Sequence, residues 1–92
     1  MNSDNFYLYA IVCHKESRIY VGISQNVERR IQEHNSGKVS STKYYAPWVL
    51  FYKEVAGKAT EARKLEKHYK SAAGKRKLHK ILKSLNSGSL PD

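Results

Sequence analysis

Five side chains in this sequence are of the types that act on phosphate esters. They are two tyrosines in apolar segments, Tyr9 and Tyr20, then Arg30 and His34 at a spacing of one helical turn, and finally Glu66. Arginine is a permanently charged, forked donor that matches phosphate oxygens, and a carboxylate can hold Mg²⁺ together with phosphate and water. Tyrosine hydroxyls and a histidine can position or transfer protons. Together these residues could hydrolyse a phosphodiester bond.

Each of these residues also has a purely structural explanation. Tyrosines in strands usually pack with a satisfied hydroxyl, and a base role for either one needs a nearby metal or cation because the ordinary tyrosine pKa is about 10. An arginine or a histidine on a helix is commonly a surface residue. Glu66 could simply pair with Lys70 or Arg63 on its own helix. The chemical interpretation therefore depends on whether the fold brings the five together.

The first two elements are predicted to be strands of a hairpin. Residues 6–13 form a nearly continuous apolar run with aromatic and β-branched members, which is typical of a strand covered on both faces. The polar segment 14–18 predicts a short turn, and residues 19–23 predict the second strand.

The register of this hairpin decides whether the tyrosines meet. If Cys13 pairs with Arg18, then Tyr9 lies opposite Gly22 and diagonally next to Tyr20. We expect the missing side chain of Gly22 to leave open space above Tyr9. A slip of one residue would place the two tyrosines on opposite faces.

The next segment is predicted to be a helix that carries the arginine and the histidine. Asn26 is a suitable cap, and Gly37 is a suitable end. The residues that this helix should turn inward are Val27, Ile31 and His34, with Arg30 beside them. The polar, basic segment 36–46 has no clear period and predicts a loop.

A third strand and two further helices complete the predicted domain. Pro47 introduces a strand over 48–53, whose alternation places Trp48, Leu50 and Tyr52 on one face. After Gly57 a second helix is expected, with an apolar stripe of Ala59, Ala62, Leu65, Tyr69 and Ala73. Glu66 falls within that stripe, where a carboxylate is costly unless a cation, a donor or water meets it. A third, basic helix is expected over about 75–85.

The charge of the chain favours an anionic partner. Its 92 residues include 17 Lys and Arg against 8 Asp and Glu, a net charge of +9. Such a balance in one small domain is typical of nucleic-acid binding, although a generally basic protein without a polymer partner is the alternative. The residues predicted to contact nucleic acid are Lys38, Lys43, Lys75, Arg76 and Lys77. We expect the domain to span 6–85, with flexible segments at 1–5 and 86–92.

Other classes of site are not indicated by the sequence. Cys13 is the only cysteine and is most simply a small core residue, and no histidine pair has the spacing of a structural zinc site. We find no long apolar run for a membrane span and no secretory signal pattern. These features predict a cytoplasmic protein.

The arrangement of these motifs resembles the GIY-YIG nuclease superfamily. In that superfamily the first strand carries a tyrosine, which matches Tyr9, and the second carries a Tyr-Ile-Gly signature, which matches Tyr20-Val21-Gly22. The following helix supplies an arginine like Arg30 and, in some members, a histidine like His34. A later helix supplies a metal-binding glutamate, which matches Glu66.

The resemblance covers about residues 6–84. Segments 34–38 and 70–76 are especially similar to the small stand-alone bacterial members. One departure is that Tyr7-Leu8-Tyr9 replaces the literal Gly-Ile-Tyr, a change that small members tolerate. A second is that Ile23-Ser24 follows Gly22, where some relatives have a lysine, so the cation that would activate a tyrosine is left open.

The resemblance implies an α+β fold in which a small three-stranded antiparallel sheet is flanked by three helices. It implies an endonuclease that depends on Mg²⁺, with Mn²⁺ as an alternative, and that cuts nucleic acid with low sequence specificity. DNA is the preferred substrate class, although the sequence does not decide between DNA and RNA. In that mechanism Tyr9 is the base, Tyr20 positions phosphate, Arg30 stabilises the developing charge and Glu66 holds the metal. The roles of the two tyrosines could be exchanged.

Two other functions remain open at this point. The chain could be a nucleic-acid-binding module that keeps the fold without turnover, or an interaction domain that holds an acidic protein. Homodimerisation or a partner protein could supply targeting, and roles in DNA repair, mobile elements or defence are not distinguished.

Overall fold

The computed structural model describes residues 5–16 and 18–88, with side chains as far as residue 85. Residues 1–4 and 89–92, to which most of the predicted flexible ends belong, lie outside the described residues. The elements are β1 (Phe6–Cys13), β2 (Ile19–Ser24), α1 (Val27–Asn35), a 3₁₀ turn (Lys43–Tyr45), β3 (Trp48–Gly57), α2 (Ala59–Lys70) and α3 (Ala72–Gly88). The predicted class is confirmed, because three antiparallel strands pack against three α-helices.

The central strand of the sheet is β1, in the order β2-β1-β3. Both of its faces are buried, as its apolar run predicts. On one face Leu8 and Ala10 pack with Tyr69 of α2 and Leu78 of α3. On the other face Tyr9, Ile11 and Cys13 pack with Val27 of α1 and with Trp48. The sheet therefore separates α1 from α2 and α3, and the tyrosine of interest faces α1.

The predicted hairpin register is confirmed. The amide of Cys13 donates to the carbonyl of Arg18 at 3.1 Å, and Tyr9 lies opposite Gly22. The predicted open space above Tyr9 is wrong, however, because the tyrosine ring itself lies over the glycine. A β-carbon on Gly22 would stand 2.6 Å from the Tyr9 hydroxyl oxygen.

The third strand departs from the predicted alternation. Ala10 pairs with Tyr52 while Ile11 pairs with Leu50, so Phe51 is an extra residue in β3. Such a bulge reverses the side-chain alternation beyond it. Tyr52 therefore lies on the α2 and α3 face, not beside Trp48 and Leu50 as predicted. The strand also continues to Gly57, four residues beyond its predicted end.

The boundary between the last two helices lies earlier than predicted. Ser71 interrupts the helical run, and its hydroxyl oxygen accepts from the amide of Gly74 at 3.3 Å, as an N-cap does. Ala73 is consequently an exposed residue of α3, not a member of the α2 stripe. The absence of a side chain on Gly74 allows close packing, because a β-carbon there would stand 2.5 Å from the Cα of Tyr69.

Candidate active site

Three of the predicted site residues form one aromatic cluster on the α1 face of the sheet. The hydroxyl oxygen of Tyr9 lies 2.8 Å from Nε2 of His34. The ring of Tyr20 meets the same imidazole edge-on, with 4.9 Å between the ring centroids. The two tyrosine rings are 6.5 Å apart. The register of β1 and β2 therefore does bring the two tyrosines to one histidine.

The first helix is held so that His34 points into the sheet. The side chain of Asn26 accepts from the amide of Arg29 at 3.1 Å and caps the helix, as its sequence predicts. Val27 and Ile31 pack in the core below the helix, and His34 follows them on the same side with no exposed surface. The inward residues predicted for this helix are thus confirmed.

Both nitrogens of His34 have hydrogen-bond partners. Beyond the bond to Tyr9, Nδ1 lies 2.8 Å from the Oγ1 of Thr42, a fully buried residue of the loop that follows α1. Burial, helped by the positive charge of Arg30, lowers the pKa of His34 below its ordinary value. This shift favours the neutral form of the imidazole. Thr42 was not among the residues predicted from the sequence, because contacts made by an irregular loop leave no periodic signal.

The hydroxyl of Tyr9 is strongly held in its protonated form. Burial raises the pKa of Tyr9 to about 12. The negative charge that Tyr20 carries when ionised and the negative charge of Glu66 raise it in the same direction. Hydrogen bonding from Arg30, together with its positive charge, opposes this shift. A base role for Tyr9 consequently requires a group that takes its proton, and His34 is the group in contact with it.

Arg30 lies beside this cluster and is engaged by an acidic neighbour. Its Nη1 donates to Oε1 of Glu33 at 2.9 Å, and this bond raises the pKa of Arg30 and lowers the pKa of Glu33. Hydrogen bonding to Tyr9 contributes to the same rise in the pKa of Arg30. Glu33 was not among the predicted site residues, although its spacing of three from Arg30 on a helix is a signal for such a pair.

Glu66 lies on α2 with 26% of its side chain exposed. Its Oε2 pairs with Nζ of Lys70 at 3.0 Å, so the structural explanation considered for this residue is realised with Lys70. Its negative charge is the smallest of the influences on the pKa of Tyr9. Over residues 5–16 and 18–88, no cluster of three or more His, Cys, Asp or Glu could hold a metal ion.

The predicted nucleic-acid-binding residues are exposed and fall into two groups. Lys38 and Lys43 lie on the loop after α1, and Lys38 borders a cleft of about 340 Å³ with Arg29 and Glu33. Lys75, Arg76 and Lys77 are at the start of α3, and α3 packs on the opposite face of the sheet from Tyr9. Lys77 also donates to the Tyr69 hydroxyl at 3.1 Å.

The aromatic residues near the loop differ in their exposure. Trp48 is buried, and its indole nitrogen donates to the carbonyl of Thr42 at 2.9 Å, so it is a packing residue. Tyr45 packs against Trp48 and makes a cation–π contact with Arg18, whose guanidinium carbon lies 4.4 Å from the centroid of the Tyr45 ring. Tyr44 is 76% exposed. Of these aromatics, Tyr44 has the most free ring surface for stacking on a base.

Comparison with known proteins identifies the family. A family model described as the GIY-YIG catalytic domain matches residues 5–79, which include all five predicted site residues. The chain belongs to the GIY-YIG family. The broad class that follows is that of a nuclease.

The related proteins come from bacteria and have chains of similar length. The UPF0213 protein SH2523 of Staphylococcus haemolyticus is 38% identical over 76 residues, covering 82% of this chain and 92% of that protein. The UPF0213 protein SSP2268 of Staphylococcus saprophyticus is 34% identical, covering 85% and 95%. The UPF0213 protein YazA of Bacillus subtilis is 30% identical, covering 95% and 88%. No solved structure matches the chain significantly.

Proposed function

We propose that this GIY-YIG protein is a metal-dependent endonuclease that hydrolyses phosphodiester bonds, in DNA rather than RNA and with low sequence specificity. The observation that carries the proposal is the convergence of Tyr9, Tyr20 and His34 beside Arg30, with a 2.8 Å contact between the Tyr9 hydroxyl and the imidazole. The preference for DNA rests on the family resemblance. The net charge of +9 suits either nucleic acid.

Arg30 is the residue that we assign to the developing negative charge on the phosphate. Its side chain is 38% exposed and can therefore be reached by substrate. A phosphate would share or replace the bond to Glu33, because the guanidinium has five donors and Glu33 uses one of them in this arrangement. Tyr20, half-buried at the same site, would position the phosphate while Tyr9 acts on the attacking water.

Glu66 is the residue that we assign to Mg²⁺, with Mn²⁺ as an alternative. A single carboxylate fits this metal, because Mg²⁺ is commonly held by one or two carboxylates with substrate phosphate and water as its other ligands. The ion would supply positive charge to a phosphate oxygen. Lys70 would yield its place on Oε2 or remain beside the carboxylate as a second cation.

Low sequence specificity follows from the kind of surface that the protein offers to the substrate. The outer side of α3 borders a groove of about 700 Å³ with a row of basic residues, which are Arg76, Lys77, Lys80 and Lys83. Lys38 and Lys43 add positive charge on the α1 side. Basic side chains of this kind contact the phosphate backbone, which carries no direct sequence information.

Cleavage of a mixed substrate panel tests the proposal. Duplex, single-stranded, nicked and branched DNA and an RNA would be incubated with Mg²⁺ or Mn²⁺, using wild type, Arg30→Ala and Glu66→Ala. Matched controls are Arg29→Ala and Glu28→Ala, which remove exposed residues of the same charge from α1. We expect metal-dependent cutting that the first two substitutions abolish and the controls retain.

A second candidate is a binding module without turnover. It is favoured by the ion pairs that engage Arg30 with Glu33 and Glu66 with Lys70. Wild type that binds the panel but cuts no substrate with either metal would establish this candidate and contradict the endonuclease.

A further inference from the structure

The hydrogen bonds of His34 determine which of its two ring nitrogens carries a proton, and the family motifs do not specify this. The imidazole has no exposed surface, and each of its nitrogens faces one hydroxyl at 2.8 Å, Tyr9 at Nε2 and Thr42 at Nδ1. A neutral imidazole has one N–H and one lone pair, so one of the two hydroxyls must accept and the other must donate.

The contacts of Thr42 favour one of these two arrangements. Its hydroxyl can donate to the carbonyl oxygen of Val39 at 3.3 Å, a carbonyl that also accepts the amides of Thr42 and Lys43. A threonine hydroxyl has a single proton, so when that proton points at Val39 its oxygen accepts from Nδ1–H of His34. Nε2 then has a lone pair that points at the hydroxyl of Tyr9.

We infer that Thr42 is a positioning residue that holds His34 in the Nδ1–H form, so that Nε2 accepts the proton of Tyr9. The consequence for turnover rests on the proposed nuclease function, whereas the geometry does not. Thr42 itself is fixed by the surrounding turn, since its amide donates to the carbonyl of Val39 at 3.1 Å and its carbonyl accepts from Trp48 at 2.9 Å.

The consequence is a proton relay from water through Tyr9 to His34. As the water oxygen forms its bond to phosphorus, the bond from phosphorus to the leaving oxygen breaks, and that oxygen takes a proton from solvent. One O–H bond of the attacking water breaks, and its proton forms a new O–H bond on Tyr9. In the same step the original Tyr9 O–H bond breaks, and an N–H bond forms on Nε2 of His34. Tyr9 ends the step neutral and holds the proton released by water, and His34 ends it as an imidazolium that holds the proton given up by Tyr9.

A concerted relay agrees with the environment of the tyrosine. Because burial holds Tyr9 in its protonated form, a free tyrosinate would be a costly intermediate. In the opposite arrangement Nε2 would carry the proton, and Tyr9 would have no acceptor on His34. The hydroxyl of Thr42 therefore determines whether Tyr9 can pass on a proton.

Nitrogen NMR of the imidazole tests this assignment without any cleavage assay, because the protonated and unprotonated ring nitrogens have different chemical shifts. We expect the folded wild-type protein to show Nδ1–H and an unprotonated Nε2 for His34. Wild type with the proton on Nε2 would overturn the inference whatever the protein cleaves, and this measurement requires no variant to fold.

Two substitutions then test the consequence for turnover. Thr42→Ser retains the hydroxyl and should keep the wild-type form of His34 and its kcat. Thr42→Val removes the hydroxyl at nearly constant shape, and we expect loss of the pure Nδ1–H form and a fall in kcat of at least about tenfold with little change in KM. A folded Thr42→Val protein with wild-type tautomer and kcat would also overturn the inference. If the NMR result holds while wild type cleaves nothing, the proposed function fails and the positioning role remains.

Discussion

Tyr9 is subject to two opposing influences at the scale of a single residue. The residue is 1% exposed and its ring fills the space over Gly22, and this burial disfavours the charged form of the hydroxyl. Arg30 favours that charged form through its positive charge and hydrogen bonding. Burial is the larger influence, so the resting protein holds a neutral tyrosine that is oriented by His34.

The first prediction concerns the titration of Tyr9. The folded state keeps this proton up to a pKa of about 12, whereas the unfolded chain loses it at about 10. The stability contributed by this proton is therefore complete below about pH 10 and is lost as the pH rises towards about 12. Phenolate absorbance of wild type should contain a step at the higher pH that is smaller by one tyrosine in Tyr9→Phe, because Tyr52 and Tyr69, whose pKa values are also raised, titrate in both proteins.

The exposed Tyr44 supplies the control for that titration. Tyr44→Phe removes one tyrosine without touching the site and should retain the high-pH step. If Tyr9→Phe retains the full amplitude of that step as well, the hydroxyl of Tyr9 is not one of the groups held in the protonated form.

A second prediction concerns the acidic residue that engages Arg30. Glu33→Gln keeps an oxygen that can accept from Arg30 but removes a negative charge from the place where phosphate would bind. We expect tighter binding of a DNA duplex by a few fold at low salt, measured by fluorescence anisotropy.

Glu28→Gln is the control for this change, since it removes the same charge from an exposed position of α1. Equal effects of the two substitutions would show that only net charge matters. Weaker binding by Glu33→Gln alone would show that the carboxylate of Glu33 supports the active orientation of Arg30.

At the scale of elements, the junction of α2 and α3 depends on one small residue. The backbone of Gly74 packs directly on the last turn of α2, close to His68 and Tyr69. The start of α3 and its basic residues are positioned by this contact. Exposed helical glycines are normally improved by alanine, by about 1 kcal/mol, so the sign of the effect here is informative.

The third prediction is that Gly74→Ala destabilises the protein. A β-carbon would meet backbone atoms that cannot rotate away, and we expect a net loss of at least about 1 kcal/mol in the free energy of unfolding. Urea unfolding followed by circular dichroism measures it. Ser84→Ala, at an exposed position of α3, should be neutral or slightly stabilising, and a similar result for Gly74→Ala would contradict the close packing.

The sequence predicts some of these elements and contacts better than others. The register of β1 and β2 could be predicted because the apolar patterning and the short turn allow few registers of the two strands. The pairing of Cys13 with Arg18 is one of them. The bulge at Phe51 could not, because Phe51 and Tyr52 are both aromatic and either suits either face. Glu33 was accessible through its helical spacing from Arg30.

The remaining departures have similar physical causes. The start of α3 had a signal in Ser71, because serine is a typical N-cap residue. The apolar stripe pointed the other way, since it includes Ala73 when α2 is continued past Ser71 as one helix. Thr42 had no signal, since its role depends on how a loop without a period folds back onto His34.

At the scale of the whole molecule, positive charge is distributed over both faces of the sheet. Lys38 and Lys43 lie on the α1 side with the aromatic cluster, whereas the basic row of α3 lies on the other side. The described residues include no helix that is long and apolar enough to cross a membrane. The distribution of charge suggests that substrate affinity and phosphate chemistry can be changed separately.

The fourth prediction tests this separation. Lys75→Gln combined with Arg76→Gln should weaken DNA binding and reduce the slope of log affinity against log salt by about one for each phosphate that the protein no longer neutralises. The rate constant for cleavage of bound substrate should remain unchanged. Salt-dependent anisotropy and single-turnover cleavage measure the two effects.

A charge-matched control is available on α2. Arg63→Gln combined with Lys64→Gln removes the same charge from exposed positions outside the predicted binding residues. If both double variants reduce the salt slope equally, α3 attracts DNA only through net charge and makes no specific phosphate contacts.

The order of the strands has a consequence for motion within the site. Tyr9 is on β1, the central strand, which is hydrogen-bonded to a strand on each side. Tyr20 is on β2, an edge strand that is hydrogen-bonded only to β1. Edge strands open more readily, so amide hydrogens of β2 should exchange with solvent faster than those of β1. Tyr9 thus keeps its position, whereas Tyr20 can move with β2 as a nucleic-acid backbone binds. Tolerance of nicked or branched substrates would then depend on the local opening of β2.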